Sequence, residues 1–171
     1  MKTLAKLLLF AILFFSLSEV VLAATDTKDQ TVTITFDEIA ELAVSGDPGL
    51  LEIEAPAVPG DLPADDSDAS TTMAWTANYD GTHTRKITGK IDGLFSGIDL
   101  HATVAAPGSG GGASEGEKEF TAATTDYDFV TAIGNCNTSG NTITYRAEVT
   151  AMVSYYTNDT QTVTWTLTDD V

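Results

Sequence analysis

The sequence predicts an all-β fold, an antiparallel β-sandwich of the immunoglobulin-like or a related type with about seven to nine strands. Three observations carry this expectation. Apolar and polar residues alternate with period two in run after run beyond residue 23, whereas stripes with the helical period are almost absent. Threonine, whose β-branch suits a pleated sheet, is abundant in those runs. Clusters of Pro, Gly, Asp and Ser separate them, as turns and loops require.

Taken in order, residues 31–36 alternate through Val32, Ile34 and Phe36, and residues 51–55 through Leu51, Ile53 and Ala55. Residues 71–79 place Met73, Trp75, Ala77 and Tyr79 on one face. Residues 83–91 and 98–104 form a central pair, the second aligning Ile98, Leu100, Ala102 and Val104, and residues 127–133 add a further strand. The longest alternation, 141–155, aligns Ile143, Tyr145, Ala147, Val149, Ala151, Val153 and Tyr155. Residues 161–168 repeat it with Val163, Trp165 and Leu167, and the polar stretch 156–160 between the two predicts a hairpin. The expected core therefore includes Trp75, Leu100, Tyr145, Val149 and Trp165. Residues 37–44 (DEIAELAV) fit a short helix or a strand, and both readings stay open. Residues 56–70 and 107–116 read as exposed loops, the second as a flexible Gly/Ser linker.

Lys2 and Lys6 precede an apolar run at 7–17, and a segment ending Val21-Leu22-Ala23 follows. A spanning helix needs about 20 apolar residues, so this pattern predicts a signal peptide, residues 1–23, cut between Ala23 and Ala24. The remainder, 24–171, is expected to be a single β-sandwich domain, secreted or on the cell surface, with no membrane insertion after cleavage.

The chain carries 8 Lys and Arg against 25 Asp and Glu. Losing Lys2, Lys6 and Glu19 leaves a net charge near −18. Such a surface repels phosphate backbones, which excludes nucleic acid as an expected partner. The single cysteine, Cys136 in GNCNTSG, has no intramolecular disulfide partner and reads as a loop thiol without a catalytic role.

No serine elbow, HExxH or Cys-x-x-Cys motif occurs. With so many carboxylates, no acid/base pair stands out for glycoside cleavage, so no enzymatic activity is expected and a secreted hydrolase ranks third among the functional readings. The glycines at 108–112 lack the Lys-Ser/Thr of a phosphate loop. Asp61, Asp65, Asp66 and Asp68 form an acidic stretch whose oxygens are candidate calcium ligands, the sole cofactor the sequence brings to mind.

Thr162-Val163-Thr164-Trp165-Thr166-Leu167-Thr168-Asp169 resembles the closing strand of the bacterial cell-wall-binding domains named for a Trp-x-Leu motif. Met73-Ala74-Trp75-Thr76-Ala77 is similar to their first motif, with Ala77 where that family has Leu. The resemblance implies attachment to cell-wall glycan through Trp75 and Trp165. The polar lead 24–30 followed by Val32, Ile34 and Phe36 resembles the N-terminal strand of secreted pilus and filament subunits, which completes the sheet of the next subunit. That likeness implies a structural or adhesive subunit self-associating through sheet edges, with peptidoglycan or glycan binding as the alternative.

Overall fold

The computed structural model describes residues 28–154 and 159–170. The expected signal peptide with its expected cleavage point, Tyr155 and most of the polar stretch 156–160 lie outside the described residues. The chain divides into residues 1–35 and 36–171. In the first unit, residues 28–35 are exposed and belong to no strand.

The second unit is an all-β, two-sheet antiparallel sandwich. Its strands are β1 (Ala40–Val44), β2 (Asp66–Ala77), β3 (Arg85–Ile91), β4 (Ile98–Val104), β5 (Gly111–Ser114), β6 (Lys118–Glu119), β7 (Tyr127–Ile133), β8 (Cys136–Val149) and β9 (Val163–Asp169). One sheet runs β1-β2-β8-β4-β6 and the other β5-β7-β3-β9. Among the described residues no helix is long and apolar enough to cross a membrane.

Alternation places the core. On β8, Asn141, Ile143, Tyr145, Ala147 and Val149 are buried while the residues between them are not. Met73, Trp75 and Ala77 on β2, with Leu100, Ala102 and Val104 on β4, complete that sheet's inner face. Ile87, Ile91, Phe129, Val130 and Ile133 answer from the other sheet. Phe120, Phe129 and Trp165 form an aromatic series, with ring centroids 5.7 Å apart in the first pair and 4.8 Å in the second.

Several sequence expectations are corrected. Residues 31–36 form no strand, because the alternation supplies a strand-capable face but no neighbouring backbone pairs with it. Residues 37–44 resolve toward strand, with β1 pairing on β2 from Ala40 to Val44. Asn78 fixes the approach, its Oδ1 accepting from the Ile39 N–H at 2.6 Å and its Nδ2 donating to the Asp37 carbonyl at 2.8 Å. Residues 51–55 are not a strand either, since the Glu52 N–H donates to the Asp66 carboxylate at 2.7 Å instead of a ladder.

The expected hairpin of 141–155 with 161–168 is absent. β8 lies between β2 and β4 in one sheet, and β9 pairs with β3 in the other, so the two apolar faces meet across the sandwich rather than side by side. Trp165 Nε1 donates to Tyr145 Oη at 3.2 Å over that gap. The strand β8 ends at Val149; Ala151 and Val153 beyond it are exposed. Trp165, expected in the core, is only partly buried because β9 is an edge strand. Within the supposed linker 107–116, Gly111–Ser114 is strand β5, and Cys136 opens β8 rather than sitting in a loop.

Candidate functional site

Edges are where a sandwich of this kind has unsatisfied chemistry, because an edge strand turns a row of N–H and C=O groups away from its own sheet. Among the described residues, the edge strands are β1, β6, β5 and β9. β6 has 2 residues and β5 has 4, too short for sustained pairing. β1 has 5 and carries Glu41. β9 is the longest at 7 residues and runs in unbroken register along β3, from Arg85 opposite Asp169 to Ile91 opposite Val163.

The ladder's parity decides which groups β9 leaves open. The Asp92 N–H donates to the Thr162 carbonyl and the Asp170 N–H to the Thr84 carbonyl, which makes the even-numbered residues of β9 the hydrogen-bonded partners of β3. Val163, Trp165 and Leu167 therefore direct their N–H and C=O groups to the free edge. Their side chains point inward yet remain only partly buried, while the residues that face them are sealed. Arg85, itself buried, holds the end of this strand: it pairs with Asp169 at 3.1 Å, with Glu38, and through Nε with the Asn78 carbonyl at 3.1 Å.

Val32, Ile34 and Phe36 are 78%, 83% and 78% exposed, without a strand partner. Among the described residues, these three apolar side chains stand in strict alternation and are left in water.

The other sequence candidates separate. Trp75 is 2% exposed and donates through Nε1 to the Gly111 carbonyl at 3.1 Å, so it has no face to offer a sugar. Trp165 packs edge-on against Phe129. Asp66 and Asp68 lie in β2, not in a loop, opposite Ala147 and Tyr145. A register shift between Asp68 and Thr71 inserts one residue and changes which parity faces inward. Asp66 accepts the Glu52 and Ser67 N–H groups, and Asp68 accepts from Ser70. The Ser70 hydroxyl and N–H hold the Asp68 carboxyl below its usual range. Asp65 instead pairs with Arg146 at 2.8 Å, and Asp61 is exposed. Among the described residues, no three His, Cys, Asp or Glu side chains converge to hold a metal ion.

Arg146 is the hub of the outer face of the β1-to-β6 sheet, bonded to Glu117 through two nitrogens at 2.9 Å each, to Glu148 at 2.9 Å and to Asp65 at 2.8 Å. The Arg146 hydrogen bonds hold the Glu117 carboxyl below its ordinary range, against a smaller opposing effect of burial. A depressed carboxylate adds stability at neutral pH that is lost as pH falls through its folded value. Denaturation midpoints are thus expected to drop below about pH 4.5, and Glu117→Gln should flatten part of that drop. The effect is under about 1 kcal/mol, as for other exposed pairs.

An open groove of about 800 Å³ on the outer face of the other sheet gathers Lys86, Lys90 and Lys118, but Glu115, Asp126 and Asp128 line it too. The charges balance, which argues against an anion site. Burial pushes the Cys136 thiol up, so it stays protonated at neutral pH and is expected to alkylate more slowly than a free thiol in a stopped iodoacetamide assay.

No protein-family model, curated protein or solved structure matches the chain. The likenesses to Trp-x-Leu domains and to pilus subunits therefore rest on the sequence segments alone.

Proposed function

We propose that the chain is a non-catalytic structural subunit, secreted or cell-surface, that self-associates by strand addition, with residues 31–36 as the donated strand. The observation that carries the reading is the exposure of Val32, Ile34 and Phe36 in strand-like alternation without a strand partner, on a chain whose sandwich has the 7-residue β9 at a sheet edge. Main-chain hydrogen bonds along an edge would supply affinity, and the three apolar side chains would set register, since a slip of one residue would turn them to water. The net charge of −17 on the full chain opposes assembly, and residues 31–36, uncharged throughout, avoid adding to that repulsion.

Sedimentation velocity and electron microscopy of the exported chain test this. The intact chain is expected to form polymers, faster with added salt, because screening shortens the reach of like charges to about 8 Å at 0.15 M. A variant lacking residues 24–36 is expected to remain monomeric and to bind a peptide of that segment. The same peptide in excess is expected to cap the intact chain and stop growth. An intact chain that stays monomeric at high concentration and pellets with purified peptidoglycan would replace this reading with the glycan-binding one.

A further inference from the structure

Resting on the self-association just described, we infer that β9 is the acceptor edge: residues 31–36 of a second copy add to it antiparallel, with Ile34 opposite Trp165.

Three independent matches select this edge and this register. The first is the backbone. Val163, Trp165 and Leu167 turn their N–H and C=O groups outward, as derived from the β3–β9 ladder, so a strand entering beside the neighbouring β1 finds donors and acceptors at these three residues. The second is the side chains. In the antiparallel register, Val32, Ile34 and Phe36 fall opposite Leu167, Trp165 and Val163. Both stripes alternate over five residues and span about 13 Å, so three exposed apolar side chains would cover three that are only partly buried. The outward positions then pair Thr31, Thr33 and Thr35 with Thr168, Thr166 and Thr164, favourable cross-strand partners.

The third match is charge. Residues 163–168 and 31–36 carry no ionisable side chain, in a chain where acidic residues outnumber basic ones 25 to 8. Within the paired stretch no carboxylates face each other; the same register brings Asp29 opposite Asp170 only beyond it. The β1 edge fits less well: Glu41 interrupts it, and of its residues only Leu42 is partly buried. Its inner stripe, Ala40, Leu42 and Val44, is smaller than the Val163, Trp165 and Leu167 stripe of β9.

Disulfide trapping of the exported chain tests the assignment, in a Cys136→Ala background. Thr33 and Thr166 would form a non-hydrogen-bonded pair, with Cα atoms about 4.5 Å apart, close enough for a disulfide. Both are exposed, so cysteine is tolerated at each. Mixing a Thr33→Cys chain with a Thr166→Cys chain under mild oxidation is expected to convert most of the protein to a mixed dimer. The double variant is expected to give a ladder of covalent multimers on a non-reducing gel. If Thr33→Cys instead links to Ala43→Cys on β1, the acceptor assignment falls while self-association stands. A disulfide-bonded monomer from the double variant would mean that the segment pairs within its own chain and would overturn the inference. Chains that sediment as monomers and link at neither position would overturn self-association itself.

Discussion

Replacing Trp75 by alanine is expected to cost about 3–5 kcal/mol, the usual range for emptying a buried Trp site. The indole is 2% exposed near the C-terminal end of β2, which lies between β1, where Trp75 is opposite Leu42, and β8. Its ring reaches across the sandwich so that Nε1 donates to the Gly111 carbonyl of β5 at 3.1 Å. One side chain thus joins both sheets, and its loss removes apolar contact and leaves a carbonyl without its partner. For a domain of this size, 1 kcal/mol moves the melting temperature by about 2–4 °C, so the thermal midpoint should fall by about 6–20 °C. Trp75→Phe separates the two contributions, keeping most of the volume and giving up the hydrogen bond for about 1–3 kcal/mol. Trp165→Ala should cost less than Trp75→Ala, because its site is already open to water on one side. Equal losses at the two positions would contradict the edge character of β9.

That difference marks how far the sequence could be read. The alternation of β4 predicted a strand at 98–104 with the boundaries found, because it presents one continuous apolar face; β7 was likewise bounded at 127–133, although its inward parity changes between Phe129 and Val130. The same rule placed Trp75, Leu100, Tyr145 and Val149 in the core. It gave Trp165 the same status, since alternation reports which face a residue occupies and says nothing of whether its strand is central or at an edge. Sheet order is a non-local property. The hairpin expectation failed for that reason: β8 and β9 are sequence neighbours with matching patterns, yet the cross-sandwich contact between Trp165 and Tyr145 puts them in different sheets.

The candidate site divides in the same way. Val32, Ile34 and Phe36 stood out in sequence as a strand-forming stripe, and their exposure is what the structure adds. The acidic residues at 61–68 were legible as a charge cluster but not as hydrogen-bond acceptors, because the groups they serve, including the Glu52 N–H, come from a segment whose position depends on the whole fold. The parity that opens Val163, Trp165 and Leu167 to a partner depends on which neighbour β9 takes. Periodicity could not have identified it.

Of the glycines read as a linker, Gly108 and Gly110 do lie in a loop but Gly111 and Gly112 belong to β5, and the last leads to the second large effect: Gly112→Ala is expected to destabilise the protein by about 3 kcal/mol, at the upper end for overpacking a core. As a run of small residues they resemble a flexible linker, but Gly112 lies in β5 because nothing larger fits. A methyl group built there would stand 2.5 Å from Val130 Cγ1, 2.7 Å from Ile133 Cγ1 and 3.0 Å from the Thr131 carbonyl oxygen. Val130 and Ile133 are fully buried and β-branched, so neither can rotate aside, and the third neighbour is backbone. Its φ of +102° adds strain for any residue with a Cβ. Relief would require β5 to move off β7, pulling the Gly111 carbonyl from Trp75, so the Trp75 fluorescence should shift to the red as the melting temperature falls. Gly108→Ala supplies the contrast: its φ of +71° is also positive, but nothing lies within 4 Å of the added methyl. Strain alone should cost about 1 kcal/mol there. Equal losses for the two variants would mean that backbone conformation, rather than close packing against β7, dictates glycine at position 112.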